Sequence, residues 1–304
     1  MSISKFIKKN LNSFSRAKQK RRIIQTIADN VQCNNNVVNI HRIDAGNIGD
    51  FYCAPHLYFK QLQNTQLDIF DFKKTDKEIT DNWINKISNN ALIIGGGGLL
   101  NRVSFEMQLK LFEQLSYKKK KTVLWGVGHN SKDKATFNNV KTYNIDTSKF
   151  GLVGVRDYSI KEDWVPCVSC MHPIFDKPTG ETQEVGIIFH KKTIKNKSLV
   201  KTLHKYPTTS NTTNIEDMVS FIGKTNIVVT DSYHAMYWSM LLGKKVIAVP
   251  NSSKFYDFKY QPVVSSFDTF ENDLNKTQSY SGVLEECREV NLNFANKVFD
   301  YLNL

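Results

Sequence analysis

At 304 residues the chain has room for one very large domain or two ordinary ones, and two is the better-supported division. A hydrophobic content of 40% with 12% aromatics excludes a disordered chain. The net charge of +12 asks for a polyanionic partner: phosphorylated substrates, an anionic membrane face or nucleic acid.

No apolar run approaches the roughly 18 to 20 residues of a membrane helix. The N-terminus has neither the long apolar core nor the cleavage site of a secretory signal. Cys33, Cys53, Cys167, Cys170 and Cys287 are odd in number and mostly scattered. They predict reduced thiols in a cytoplasmic protein, not a disulfide framework.

Residues 1–22 read as a basic amphipathic leader. Lys5, Lys8, Lys9, Arg16, Lys18, Lys20, Arg21 and Arg22 meet no acidic residue, while Ile3, Phe6, Ile7, Leu11 and Phe14 recur at roughly helical spacing. Such a segment either lies on an anionic bilayer or packs on the domain as a solvated helix. Asn36–Ile43 is the first strand and runs into the loop Asp44–Asp50, where Gly46, Asn47 and Gly49 let backbone approach a ligand closely. A helix is expected over Phe51–Gln63, a strand over Leu67–Phe72 and a surface helix over Asp76–Ser88.

Ala91–Ile94 reads as a buried strand followed by Gly95, Gly96, Gly97 and Gly98, then by Asn101 and a helix over Phe105–Tyr117. The glycine run lacks the GK[ST] ending of a nucleotide P-loop, which excludes an ATPase on that motif. Lys118–Lys121 reads as cations at the negative pole of that helix. Thr122–Gly126 is the next strand, with His129 and Asn130 in the loop after it; Phe150–Val155 is another and ends at Arg156. This repetition predicts a parallel sheet with one functional edge, carrying Asp44, Asn47, Asp50, the glycines, Asn101, His129, Asn130 and Arg156.

Cys167 and Cys170 form a CxxC with no second ligand pair, so packed thiols are favoured over a zinc site. Pro173–Thr182 has linker composition, which divides the chain into domains at 23–178 and 179–304. The strand Val185–Phe189 opens the second. His190, Lys191 and Lys192 follow at its end, either to neutralise a phosphate or as a solvated basic loop. Short helices are expected over Leu199–Tyr206 and Ile215–Ile222.

The most informative stretch is a β-α-β unit. Asn226–Thr230 is a buried strand, Asp231-Ser232 offers an N-cap, a helix apolar nearly all round reaches Leu242, Gly243 ends it, and Lys245–Val249 is the next strand. Ser232, Tyr233 and His234 fall at the first turn of that helix, where unpaired N–H groups favour anions. Lys254 lies in the following strand-end loop, and Tyr280–Leu302 reads as a C-terminal helix packing back on the first domain. No acidic cluster has divalent-ion spacing, Asp44 with Asp50 being too little, so no metal is expected. The basic residues are dispersed without a nucleic-acid motif, so no nucleic-acid partner is expected either.

These loops, in order, resemble the polysaccharide pyruvyl transferase family. The residues that carry the likeness are Gly46-Asn47-Ile48-Gly49-Asp50, Gly95–Gly98 with Leu99-Leu100, Val155-Arg156-Asp157 with Ser159, Thr230–Ala235, Gly243–Ile247, and Lys254-Phe255. The resemblance implies an α/β fold of two Rossmann-like parallel-sheet domains facing across a cleft, like the B-type glycosyltransferases. It implies transfer of a pyruvyl group from phosphoenolpyruvate to two hydroxyls of a sugar, giving a ketal in a cell-surface polysaccharide. In that scheme His234 is the candidate general acid, and Arg156, Ser232, Tyr233, Lys254, His190 and Lys191 surround the anionic donor. The loops with Asn47, Gly49, Asp50, Gly96, Gly97, Gly98, Asn101, His129 and Asn130 face the acceptor, a sugar or lipid-linked glycan. No resident cofactor is implied. Where many members carry an arginine two positions before the histidine, this chain has Ser232. A nucleotide-sugar donor is therefore the alternative, its diphosphate suiting the same helix end.

Overall fold

The computed structural model describes residues 3–31, 36–177 and 180–304, with residues 3–15 described by backbone alone. Cys33, Pro178 and Thr179 lie outside the described residues, as do the side chains of Ile3, Phe6, Ile7, Leu11, Phe14, Lys5, Lys8 and Lys9. Two sheets organise the chain, and every strand pair in them is parallel.

The leader is the start of α1 (Ile3–Asp29), whose last turns bury Ile23, Ile27 and Ala28 while Arg16, Lys18, Arg21 and Arg22 stay exposed. Then come β1 (Val37–His41), α2 (Ile48–Phe51), β2 (Gln66–Asp68), α3 (Lys77–Asn89), β3 (Ala91–Leu100), α4 (Val103–Tyr117), β4 (Thr122–His129), β5 (Leu152–Val155) and β6 (Asp163–Trp164). They build a six-stranded sheet in the order β2-β1-β3-β4-β5-β6. Alternate side chains on β3 go to opposite faces, as the pleat dictates. Leu92 and Ile94 join the core under α1, α3 and α4, which centres on Trp83 and Phe112; Ala91 and Ile93 join the opposite core with Trp125.

The second half runs β7 (Gln183–Phe189), α5 (Lys197–Thr202), β8 (Thr208–Ser210), α6 (Ile215–Gly223), β9 (Thr225–Thr230), α7 (Tyr233–Leu241), β10 (Lys245–Ala248), β11 (Val263–Val264) and α8 (Val283–Leu302). Its five-stranded sheet has the order β11-β10-β9-β7-β8. Every residue of α7 is buried, because it packs on the sheet, on α6 and on the first half at once. The C-terminal helix α8 returns to the first sheet, where Phe294, Ala295, Val298 and Leu302 cover the face of Trp125. Burying each large side chain there contributes roughly 1.5 to 3 kcal/mol. Trp125 Nε1–H also donates to Asn291 Oδ1 at 3.0 Å.

Several elements depart from the sequence reading. The helix expected over Phe51–Gln63 is the single turn α2 followed by two 3-10 turns, Pro55–Leu57 and Lys60–Leu62; Pro55 has no N–H to continue a helix. The strand expected over Leu67–Phe72 stops at Asp68, whose Oδ1 accepts from the Phe70 N–H at 2.7 Å and turns the chain. The glycine run does not follow β3 but lies within it, and β4 likewise continues through Gly126 to His129. Gly96 and Gly97 have φ of 74° and 84°. A Cβ on Gly96 would lie 1.8 Å from the Cys53 carbonyl oxygen, so only glycine fits. The short strands β6, β8 and β11 were not expected. Among the described residues, no helix is long and apolar enough to cross a membrane.

Candidate active site

A cavity of about 540 Å³ lies beyond the C-terminal ends of the strands and is lined from both halves of the chain. From the first half it takes Asn47, Asp50, Gly96, Gly97, Gly98, Asn130 and Arg156; from the second, His190, Lys191, Ser232, Tyr233, His234 and Lys254. Gly49, Asn101 and His129 do not line it.

Each of those three has another place. Gly49 lies against the His234 ring: a Cβ there would sit 2.1 Å from His234 Nδ1. Asn101 takes a left-handed φ of 55° and braces a loop, its Nδ2 donating to the Thr142 carbonyl and its N–H to Asn144 Oδ1. His129 is buried at the end of β4, with Nδ1 2.7 Å from Ser253 Oγ and Nε2 facing Asp257 Oδ2 at 3.5 Å and Asp157 Oδ1 at 3.8 Å. Among the described residues this is the one grouping of histidine and carboxylates close enough to hold a metal ion. Asp157 Oδ2 accepts from the His129 N–H and the Tyr143 hydroxyl, and Asp257 from the Tyr158 and Ser159 N–H groups and the Ser159 hydroxyl, while the buried His129 Nε2 has no hydrogen-bond partner. The arrangement ties the two halves together.

Arg156 is the cation at the inner end. It is 1% exposed, and its guanidinium carbon stands 3.9 Å over the Tyr233 ring. Its Nε and one terminal nitrogen have no hydrogen-bond partner. A buried guanidinium with idle donors is costly unless something anionic meets it. Lys254 is beside it, half-buried on the turn Ser253–Phe255. Burial first, and then Arg156, bring the Lys254 ammonium down to about 7, with Asp50 opposing. Burial pushes the Asp50 carboxyl above its ordinary range although Lys254 pulls the other way; Asn47 Nδ2 donates to it at 2.7 Å.

Ser232 is the N-cap of α7, but its side chain makes no capping hydrogen bond. Asp231 does not cap either; its carboxylate turns back to the His190 N–H and the Thr193 hydroxyl. The first N–H groups of α7 therefore lack a side-chain cap where the helix meets the cavity. His234 follows in the first turn. Burial, then Arg156 and Lys254, push its basicity well below the ordinary range, so it is neutral when the site is empty. Its Nε2 lies 3.5 Å from Cys167 Sγ. The CxxC segment thus holds α7: the Cys167 carbonyl accepts from the Tyr237 hydroxyl, and Ser169 Oγ accepts from Trp238 Nε1–H. Cys53, Cys167, Cys170 and Cys287 are all free and buried.

The rim adds residues not singled out from the sequence, Arg42, Arg102, Lys132 and Asn211, beside Lys192 of the basic cluster read there. Lys132 falls two residues past Asn130 at the same strand end, so the edge rule pointed at it. Nothing local marked Arg102 or Asn211. Lys191, read as a donor ligand, forms an ion pair with Asp44 across the halves, and Arg42 pairs with Asp68. His190 is brought down to about 4, first by burial and then by Lys254 and Lys132.

Residues 171–253 match the model of the polysaccharide pyruvyl transferase family. No curated protein and no solved structure matches the chain. The matched segment holds β7, β9, α7 and β10 with Ser232, Tyr233 and His234; Arg156, Asp50 and Lys254 fall outside it. The match spans about a quarter of the chain and includes the helix-end histidine, and this likeness supports an enzyme of that type.

Proposed function

We propose that the protein transfers a pyruvyl group from phosphoenolpyruvate to a sugar acceptor, forming a ketal during cell-surface polysaccharide assembly. The observation that carries this reading is Arg156, a buried guanidinium with two idle nitrogens beside Lys254 and the uncapped start of α7. Phosphoenolpyruvate brings a carboxylate and a phosphate, and this corner offers one planar bidentate donor, one ammonium and one helix end.

The chemistry balances with the residues present. A sugar hydroxyl attacks C2 of the enol as C3 takes a proton and becomes a methyl group. A second hydroxyl then displaces phosphate, its proton leaving with the phosphate, and the ketal closes. Asp50, with its raised carboxyl, accepts the proton of an attacking hydroxyl. His234 is the proton donor to carbon. It is neutral in the empty site, so the anionic donor itself must raise its basicity on binding. Lys254, near 7, supplies charge to the departing phosphate.

A nucleotide-sugar donor is the second reading, supported by Ser232 at the helix end and by the cations of the rim. Ligand-induced thermal shift separates the two. Stabilisation follows RT ln(1 + [L]/Kd), about 2.7 kcal/mol at a hundredfold excess over Kd. A shift with phosphoenolpyruvate that is lost in His234→Ala supports ketal formation. A shift with nucleotide-sugars alone makes the protein a glycosyltransferase.

A further inference from the structure

The cavity carries more positive charge than one phosphoenolpyruvate can use. Arg156, Lys254 and the start of α7 already answer a carboxylate and a phosphate at the inner end. Arg102, Lys132 and Lys192 line the same cavity from the loops after β3, β4 and β7, and Lys132 and Lys192 are exposed where Arg156 is buried. Among the described residues no carboxylate pairs with any of the three, whereas Lys191 and Arg42 are neutralised by Asp44 and Asp68. Arg102 Nε is buried without a partner. Lys132 Nζ is held toward the site by the carbonyl and Oδ1 of Asn251, at 2.8 and 3.0 Å, both neutral acceptors. Burial at the wall, then Arg102 and Lys192, lower the Lys132 ammonium to about 8 with Asp231 opposing, so Lys132 feels both of the other cations. Solvent alone gives no reason to hold like charges together; a polyanion does.

We infer that Arg102, Lys132 and Lys192 form a second anion subsite, which takes the diphosphate of a sugar acceptor while phosphoenolpyruvate occupies the inner end. This rests on the pyruvyl-transfer reading for the inner ligand only. The chemistry recognised is a sugar joined to a diphosphate, whether the far side is a nucleoside or a polyprenyl chain.

Inorganic pyrophosphate is the probe, titrated calorimetrically into the full chain with and without saturating phosphoenolpyruvate. The expected result is pyrophosphate binding in both conditions. A Lys132→Ala/Lys192→Ala double variant should weaken it at least tenfold and change phosphoenolpyruvate affinity less than twofold. Arg156→Gln should do the reverse. Displacement of pyrophosphate by phosphoenolpyruvate, or a double variant that weakens both ligands alike or neither, overturns the second subsite. If phosphoenolpyruvate does not bind but pyrophosphate still depends on Lys132 and Lys192, the subsite stands and the donor assignment falls. Uridine diphosphate and farnesyl diphosphate, as competitors of pyrophosphate, then name the source. The tighter competitor shows which side of the diphosphate the mouth accommodates, and displacement by neither overturns the assignment.

Discussion

The guanidinium carbon of Arg156 stands 3.9 Å above the ring of Tyr233, a first-half cation resting on the first residue of the second half's buried helix. The ring supports the charge without using Nε or the unpartnered terminal nitrogen, which stay free for a ligand. Arg156→Gln is therefore expected to raise the KM for phosphoenolpyruvate about a hundredfold, since two charged hydrogen bonds are at stake. Tyr233→Leu should raise it about tenfold, on the scale of a desolvated cation–π contact. Steady-state kinetics with unchanged circular dichroism is the check. Equal effects from both variants would mean that Tyr233 does more than support Arg156.

Gly49 and His234 are in direct contact, and a Cβ at residue 49 would sit 2.1 Å from His234 Nδ1. Gly49→Ala should lower activity to the level of His234→Ala, with an overpacking cost of about 1 to 3 kcal/mol in stability. Gly46→Ala is the control: its Cβ meets nothing closer than Asp44 Oδ1 at 3.4 Å, so activity should be retained. Thermal melts and turnover of the pair test this.

Lys254 sets a pH dependence. Its ammonium titrates at about 7 in the fold against an ordinary 10.5. A charged donor is therefore favoured below pH 7, and the KM for phosphoenolpyruvate should rise as pH climbs through 7. Lys254→Arg keeps its charge and should flatten that rise between pH 6 and 9. The stability sign is opposite to that of an ion pair. Burying the cation is a cost fully present below pH 7 and relieved as pH approaches 10.5, so Lys254→Met should raise the Tm most at pH 6. A Tm gain that grows with pH would contradict the assignment.

Asp257 joins the halves by accepting from the Tyr158 N–H and twice from Ser159, with His129 Nε2 3.5 Å from its Oδ2. Burial opposes its charge, but the nearby His129 and the hydrogen bonds from Ser159 outweigh it and hold the carboxyl below 3.8. Its contribution is therefore present above that value and fades as pH falls through the lowered one. Asp257→Ala should cost about 1 to 3 kcal/mol and loosen the seam. Calorimetry should show a lower Tm, with the two halves beginning to unfold separately; an unchanged single transition would contradict the coupling.

The exposed cations Arg16, Lys18, Arg21 and Arg22 lie on α1, whose later turns are buried in the first core. Each basic residue near an anionic bilayer is worth roughly 1 kcal/mol. We propose that α1 docks on an anionic bilayer: the protein should then cosediment with vesicles containing phosphatidylserine, and reversing these four to Glu should abolish that while leaving the Tm within a few degrees. Cosedimentation measures it. Unchanged cosedimentation would assign α1 to packing alone.

The strands were the legible part of the fold. Val37–His41, Thr225–Thr230 and Lys245–Ala248 are short runs rich in β-branched residues and bounded by polar turns, and they are buried almost throughout. Asp76 also announced α3, accepting from the N–H groups of Glu78 and Ile79. What escaped was set by distant partners. The Gly95–Gly98 run looked like a loop because glycine is poor in strands, yet Cys53 pressing on Gly96 makes glycine the residue that lets β3 continue there. His129 had the position of a ligand-edge residue, and its link to Asp257 crosses from one half to the other. No local pattern records such a partner. Most of the cavity wall was foreseeable because strand ends in a parallel sheet share one edge. Arg102 and Asn211 were not, since they arrive through loop conformation.

The contact between α2 and α7 has a consequence for recombination. Ile48 N–H donates to the Asn211 carbonyl at 3.1 Å, Asn211 Nδ2 donates to Asn47 Oδ1 at 2.9 Å, and Gly49 meets His234 one residue on. The position of the histidine is thus shaped by a loop more than 180 residues earlier in the chain. Half-swapped hybrids with a relative would inherit a well-formed sheet from each parent and still misplace the imidazole, unless residues 47–49 and 211 came from the same parent as residue 234.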